Sequence, residues 1–268
     1  MKDNRSEIDR ASKLGFHGLC EHWDEVKASP WVGQLLDWEE QQRSQRSLER
    51  RIRSARIGTF KPMADFDYGW PTYIDRDQID DLFELSWIGQ MQNMVLIGPN
   101  GIGKTMIAQN VAYQAVLAGH TVLFCSASRM LNDLATQDGP MALERRIGRY
   151  SSPGLLCVDE VGYLSYDTRL ADLFFEVVSR RYNHRSILVS TNKNFTEWNT
   201  IFPNAACAVT MIDRLVHHSE IIKLKGKSYR LKEAMERAAK RAQERATRKN
   251  KTATAKSSST PQKPCTRP

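Results

Sequence analysis

The sequence has 268 residues, enough for one or two folded domains with a sizeable hydrophobic core. Hydrophobic residues make up 41% of it and charged residues 26%, proportions that argue against a fibrous or a wholly disordered protein. Lysine and arginine total 39 against 31 acidic residues, and this net charge of +8 makes an acidic partner such as nucleic acid a candidate.

The basic excess lies in two segments. Residues 232–268 contain 11 lysines and arginines but 3 acidic residues, an excess equal to the net charge of the whole chain. Residues 43–56 contain six arginines against one glutamate and form a second basic segment. Clustered cations of this kind suit the phosphates of a nucleic acid, although a solvated charged surface is the commoner role of any single cluster.

We expect a cytoplasmic protein without a membrane span. No run of 18 apolar residues occurs, and the amino-terminal residues lack the apolar stretch of a secretory signal. The cysteines are odd in number and widely separated, which argues against a disulfide framework or a zinc ribbon: Cys20, Cys125, Cys157, Cys207 and Cys265.

The predicted elements begin with helices. Apolar residues recur at helical spacing within residues 1–57, and Gly58 follows as a stop signal. Residues 59–71 form an irregular, aromatic-rich connector that we expect to pack onto a domain. We therefore predict an amino-terminal helical domain and connector over residues 1–68, followed by one more amphipathic helix over residues 79–87.

Residues 69–231 are predicted to form an α/β domain. Short apolar runs alternate with helical segments, a pattern typical of a parallel sheet covered by helices on both faces. The expected strands are residues 94–97, 121–125, 155–158, 187–189 and 220–224. Residues 232–248 read as a charged helix, and residues 232–268 as a whole are predicted to be a basic, largely disordered tail.

A phosphate-binding motif follows the first predicted strand directly. The pattern G-x-x-x-x-G-K-[ST] requires glycines so that backbone N–H groups can face phosphate oxygens at the start of a helix. Its lysine would contact the β- and γ-phosphates of ATP and its threonine would bind Mg²⁺. The predicted nucleotide-binding residues are Gly98, Pro99, Asn100, Gly101, Ile102, Gly103, Lys104 and Thr105.

Two further strand ends carry polar side chains. Asp159 and Glu160 follow the third apolar run, where Asp159 would hold Mg²⁺ and Glu160 would polarise the water that attacks the γ-phosphate. Asn192 follows the fourth run and is expected between the phosphate loop and Glu160, within reach of the attacking water or the γ-phosphate. Ligands bind beyond the carboxyl ends of such strands, so these residues predict one pocket.

Together these residues resemble the AAA+ ATPases, in particular the branch that contains IstB-type transposition helpers and DnaC-type helicase loaders. The resemblance covers roughly residues 30–231. It is carried by GPNGIGKT at 98–105, FDY at 66–68, CVDEVGYLSYD at 157–167, STNKNFTEW at 190–198 and IDRLVHHSEIIKLKGKSYRLK at 212–232. The last three phrases are closer to the IstB type than to the loaders.

The resemblance implies roles that the residues alone do not. Arg214 would be an arginine finger offered to the ATP of a neighbouring subunit, and Arg230 would sense the γ-phosphate within its own chain. No helical lid is expected after the last strand, because the basic segment follows it at once. The family implies homo-oligomers with ATP sites at subunit interfaces, which grip duplex DNA and assist a transposase.

The residues leave several alternatives open. The DNA contacts could come from residues 43–56, from the carboxyl-terminal segment, or from a third group, Arg145, Arg146 and Arg149. The chain could instead be a replicative helicase loader, or a DNA-binding module that uses ATP as a switch with negligible turnover. A P-loop kinase of nucleosides or metabolites would also carry the phosphate loop, but it would have little use for Arg214 or for a basic tail.

Overall fold

The computed structural model describes residues 4–163, 165–202 and 205–257, and it begins with four helices. These are α1 (Asn4–Lys13), α2 (His17–Glu21), α3 (Trp23–Val26) and α4 (Pro30–Ala55). A small apolar cluster holds them together, formed by the buried side chains of Ala11, Leu14, Trp23, Val32 and Leu36. The helices expected in this region are thus confirmed.

Helix α4 contributes to both apolar cores that it meets. It begins at Pro30, whose fixed φ suits the first helical position, and it ends where Arg56 adopts a left-handed φ of 54°. Its first turns place Val32 and Leu36 in the amino-terminal cluster, whereas Ala55 is buried in the core on one face of the sheet. The helix therefore joins the amino-terminal helices to the sheet before the connector begins.

The connector over residues 59–71 packs against the sheet domain, as expected. It contains one short 3₁₀ turn (Met63–Asp65), and its aromatic side chains Phe60, Phe66, Tyr68 and Trp70 are partly buried against the same core as Ala55. Helices α5 (Arg76–Glu84) and α6 (Ser86–Gly89) follow. Helix α5 is capped by Asp75, whose carboxylate accepts hydrogen bonds from two backbone N–H groups of the first turn.

Five parallel strands form the central sheet, and each of the five strand predictions is confirmed to within a few residues. The strands are β1 (Asn93–Ile97), β2 (Val122–Ser126), β3 (Leu155–Val161), β4 (Ser186–Thr191) and β5 (Ser219–Lys223). Their spatial order is β2-β3-β4-β1-β5. Strand β4 therefore lies between β1 and β3, which brings the strand end that precedes Asn192 between the phosphate loop and Glu160, as predicted.

Helices cover both faces of this sheet because its central strands are apolar on both sides. On one face lie α7 (Lys104–Leu117), α5, α6 and the end of α4. On the other lie α8 (Ala127–Ala135), α9 (Pro140–Ser151), α10 (Thr168–Arg181) and α11 (Ala205–Val216), with a 3₁₀ segment (Phe195–Thr200). The α/β fold class predicted from the sequence is confirmed.

A single helix, α12 (Tyr229–Ser257), follows β5 to the end of the described chain. It extends the predicted charged helix well beyond Arg248, so much of the segment expected to be largely disordered is helical in this structure. Residues 258–268 lie outside the described part. Across the described residues, none of the helices combines the length and apolar character that crossing a bilayer demands.

Candidate functional site

The phosphate loop lies between β1 and α7, where the backbone must turn sharply. Gly101 and Gly103 adopt left-handed φ values of 77° and 114°, and Gly103 directly precedes the first turn of α7. Ile102 between them is buried in the core and anchors the loop through its side chain. The N–H groups at the amino-terminal end of a 14-residue helix therefore face the space in front of the loop.

Lys104 is buried at the base of this loop. Its Nζ donates hydrogen bonds to the carbonyl oxygens of Gly98 at 2.6 Å and of Pro99 at 3.0 Å. Burial lowers the pKa of Lys104 from its usual value and the nearby Arg230 adds to this, whereas Asp159 and Glu160 oppose it. A phosphate could replace the two carbonyls as the partner of this ammonium group, since an anion satisfies a buried cation better than neutral oxygens do.

A hydrogen-bonded network joins three segments beside Lys104. The Thr105 hydroxyl donates to Asp159 Oδ1 at 3.2 Å, and the Ser190 hydroxyl donates to the same oxygen. Ser190 Oγ also accepts a hydrogen bond from the backbone N–H of Glu160 at 3.0 Å. The start of α7 and the carboxyl ends of β3 and β4 are thereby held together around the buried Asp159 carboxylate.

Glu160 owes its position to an irregularity in β3. The pairing with β4 shifts register between Val158 and Val161, and Glu160 has a left-handed φ of 62°, which is rare for a residue with a side chain. Its carboxylate consequently lines the pocket instead of following the alternation of the strand. Strained backbone of this kind concentrates at functional sites because it aims a side chain that a regular strand would turn away.

Lys104, Thr105, Ser190 and Glu160 line one cavity of about 480 Å³ at the carboxyl ends of the strands. Gly98, Pro99 and Asp159 are not among the lining residues, but Asp159 is hydrogen-bonded to Thr105 and Ser190, which are. A volume of about 300–1,000 Å³ is usual for a small-molecule site, and this cavity lies within that range. The oxygens of Thr105 and Asp159 are the hard donors that Mg²⁺ prefers. Of the predicted residues, the cavity is lined by Asn100, Gly101, Ile102, Gly103, Lys104, Thr105, Glu160, Asn192 and Arg230.

The sequence did not predict which residues pack against the phosphate loop. A Cβ atom on Gly103 would overlap the Phe66 ring, and a Cβ on Gly101 would overlap the Ser228 hydroxyl, so both neighbours touch the loop closely. The Tyr229 N–H donates to the Gly101 carbonyl at 2.9 Å. The Trp70 indole, from the connector, donates to the Lys227 carbonyl at 2.8 Å. The connector and the start of α12 thus close the cavity together.

The two arginines implied by the family resemblance lie in different places. Arg230 is exposed on the first turn of α12 and lines the cavity of its own chain. Arg214, on α11, lies outside that cavity: its guanidinium donates to Ser179 Oγ and lies 4.8 Å from the centroid of the Phe175 ring. A residue that serves a neighbouring subunit must lie outside its own chain's pocket, and Arg214 meets that condition.

Comparisons with known proteins agree with the motifs. The sequence model of a family described as "IstB-like ATP binding protein" matches residues 14–237. An ATP-binding protein of insertion sequence IS21 from Pseudomonas aeruginosa is 38% identical over 191 residues, or 71% of this chain and 72% of that protein. The corresponding protein of insertion sequence IS5376 from Geobacillus stearothermophilus is 35% identical over 208 residues, or 78% of this chain and 83% of that protein.

Solved structures share the fold at low identity. The crystal structure of DnaI superimposes with a TM-score of 0.51 at 14% identity, covering 66% of this chain and 92% of that one. Domain III of the replication initiation protein DnaA from Thermotoga maritima gives 0.50 at 16% identity, covering 62% and 69%. These likenesses show that the α/β domain shares its fold with those proteins, and they carry no conclusion beyond the fold.

Proposed function

Because the chain belongs to the IstB-like ATP binding protein family, we propose that it is an ATPase that assembles on duplex DNA and assists an insertion-sequence transposase in target selection. The relatives at 38% and 35% identity are described as ATP-binding proteins of insertion sequences, which supports both the ATP and the transposition parts of the proposal. The basic segments support the DNA part.

One observation carries the hydrolytic part of the proposal: Lys104, Thr105 and Glu160, from two distant segments, line one cavity, and the Asp159 carboxylate accepts a hydrogen bond from Thr105 beside it. The N–H groups of residues 98–105 and the Lys104 ammonium would bind the β- and γ-phosphates and stabilise charge that develops there. Thr105 and Asp159 would hold Mg²⁺, which when bound neutralises charge on the phosphate oxygens.

Glu160 and Asn192, which line the cavity, would act on the attacking water. The Glu160 carboxylate would accept a hydrogen bond from that water and orient its lone pair toward the γ-phosphorus. The Asn192 amide would hold the water or a γ-phosphate oxygen from the adjacent strand. Arg230 would contact the γ-phosphate of its own chain, so that the start of α12 responds to the nucleotide bound.

Arg214 would complete the site of a second subunit. A guanidinium that stabilises the transferring phosphoryl group only after two subunits dock makes hydrolysis conditional on assembly, and ATP would thereby drive oligomerisation. In the single chain the Arg214 side chain packs against Ser179 and Phe175 of α10. These contacts hold it outside the nucleotide cavity of its own chain.

Replacement of Glu160 by glutamine tests whether turnover matters. The isosteric amide cannot accept the proton, so we expect hydrolysis to fall by at least about 10²-fold while ATP and DNA binding persist. Glu233→Gln is the matched control. Glu233 lines the same cavity, but its carboxylate is paired with Lys61, so its replacement should leave hydrolysis intact. Transposition that survives Glu160→Gln unchanged would favour an ATP switch without turnover.

Mixing two inactive variants tests the subunit interface. Arg214→Ala subunits keep a complete phosphate loop, and Lys104→Ala subunits keep the arginine, so a mixture should regain part of the hydrolysis that each lacks alone. Failure to complement would refute the assignment of Arg214.

Capture of a hexameric helicase instead of a transposase from cell extracts would favour the helicase-loader alternative.

A further inference from the structure

A second cavity, of about 570 Å³, opens at the edge of the sheet opposite the nucleotide pocket. Its floor is formed by residues that precede or begin β2 and β3, whereas the nucleotide pocket lies where the strands end. We call this the arginine cavity, because five arginines line it: Arg50, Arg51, Arg53 and Arg56 from the end of α4, and Arg149 from α9.

The charges of the arginine cavity are largely unneutralised. Across the described part of the chain, no carboxylate forms an ion pair with Arg50, Arg53 or Arg56, and all three side chains are exposed. Arg51 donates instead to neutral oxygens, the Ser47 hydroxyl and the Val116 carbonyl. Arg149 and Arg146 share a single carboxylate, that of Asp133. The Arg149 guanidinium lies 3.9 Å from this carboxylate and the Arg146 guanidinium 3.4 Å from it. Like charges that line one cavity repel one another, and a bound anion offsets that repulsion.

The positive surface continues beyond the arginine cavity. A smaller cavity of about 220 Å³ shares Arg149 with it and is also lined by Arg145 and Arg146 of α9. The arginines of residues 50–56 and those of residues 145–149 are nearly a hundred positions apart in the sequence, and the fold places them around two cavities that share Arg149. Two of the three segments considered separately as DNA contacts therefore form one surface.

We propose that the arginine cavity and the adjoining face of α9 bind the backbone phosphates of duplex DNA. The inference rests on the proposed function and names the surface through which it would act. Guanidinium groups suit phosphate oxygens because their planar array of donors matches them in pairs, and seven arginines exceed what one small anion can neutralise. Since the surface lies at the opposite edge of the sheet from the phosphate loop, bound DNA and ATP would not compete.

A pair of double variants on one helix tests this surface. Arg50→Gln with Arg53→Gln removes two charges from the cavity, and Arg43→Gln with Arg46→Gln removes two charges one heptad earlier, from the same helix face but outside the cavity. The measurement is the affinity of the full chain for duplex DNA, by fluorescence anisotropy, at several salt concentrations. Arg149→Gln tests the second element of the cavity.

We expect the cavity variants to bind every duplex sequence more weakly, because phosphate contacts carry little sequence information. The slope of log K against log salt should become shallower by about 0.9 for each phosphate that a variant no longer neutralises, or about 1.8 for the Arg50/Arg53 double variant if both arginines bind phosphates. ATP affinity should stay unchanged in each variant. An Arg43/Arg46 variant whose affinity fell as much as that of the cavity variant would overturn the proposal in favour of the whole helix face.

The outcomes separate this inference from the proposed function. If the unmodified chain binds duplex DNA and the Arg50/Arg53 and Arg149 variants bind equally well, the arginine cavity is not the DNA site while the proposed function stands. If the unmodified chain binds no duplex in any nucleotide state, both the DNA part of the proposed function and this inference fail. If single strands of equal charge bind more tightly than duplex, the proposal of a duplex surface is overturned.

Discussion

Replacement of Ser190 by alanine tests how the fold holds Glu160 in position. The Ser190 hydroxyl donates to the buried Asp159 carboxylate and accepts from the backbone N–H of Glu160, at the point where β3 departs from regular pairing. Alanine removes both hydrogen bonds but keeps the strand. The left-handed conformation of Glu160 is then no longer supported by the hydrogen bond between its N–H group and Ser190.

The magnitude follows from these contacts. A hydrogen bond to a charged group contributes about 1.5–3 kcal/mol, and a buried donor left without an acceptor costs about 1–3 kcal/mol. Asp159 keeps the Thr105 hydroxyl as a donor, so the loss at this carboxylate is partial and the two contributions do not add in full. We therefore expect the free energy of unfolding to fall by about 3 kcal/mol. For a domain of this size the corresponding fall in Tm is about 6–12 °C.

The same strand offers the control. Ser186 of β4 is fully buried, and its hydroxyl makes a 3.5 Å hydrogen bond to the Ile88 carbonyl, remote from the nucleotide cavity. Ser186→Ala should therefore lower the free energy of unfolding by about 1 kcal/mol or less. Thermal denaturation and ATP turnover of both variants provide the comparison. Ser190→Ala should lower turnover more than ATP affinity, and equal behaviour of the two variants would refute the role of Ser190.

Two further predictions concern the phosphate loop. The pKa of Lys104 is lowered by burial, so its charge costs stability at any pH below that pKa; Lys104→Met should leave the Tm of nucleotide-free protein unchanged or raised while abolishing the rise in Tm caused by ATP. A lower Tm without nucleotide would show that the contacts to Gly98 and Pro99 outweigh the buried charge. Gly101→Ala should weaken ATP binding at least tenfold, because its Cβ would meet Ser228, whereas Gly119→Ala, at a φ of 98° with open space around it, should affect stability alone. Equal ATP affinity of these two glycine variants would contradict the close fit of α12 on the loop.

The close fit at the loop also links the nucleotide to the carboxyl-terminal helix. Besides the hydrogen bond from Tyr229 to Gly101, two ion pairs join α12 to the connector: Lys232 with Asp67 at 3.1 Å and Lys61 with Glu233 at 2.9 Å. Lys232 also lies 4.5 Å from the centroid of the Trp70 ring. Exposed pairs contribute little individually, so the direct contacts of Ser228 and Tyr229 with the loop set the position of α12.

The sequence by itself determined the five strands, the phosphate loop and the carboxylates that follow β3, because each depends on short-range patterns. A buried parallel strand is a short apolar run, and the loop needs glycines next to a helix start, so local residues suffice to predict them. The positions of Asp159 and Asn192 near that loop follow from the rule that parallel strands share their carboxyl edge.

The tertiary structure alone decided which distant residues complete each site. Ser190 is hydrogen-bonded to both Asp159 and Glu160. Phe66 and Ser228 contact the loop glycines, and Arg149 lines the same cavity as the arginines at the end of α4. None of these contacts has a local signature, because each forms between segments that are distant in the sequence. Strand order, the packing of α4 onto the sheet and the packing of α12 onto the phosphate loop and connector bring those segments together. Side chains that meet through packing carry no periodic or motif pattern. The sequence therefore predicted the phosphate-binding and catalytic residues of the pocket but not the residues of other segments that line it.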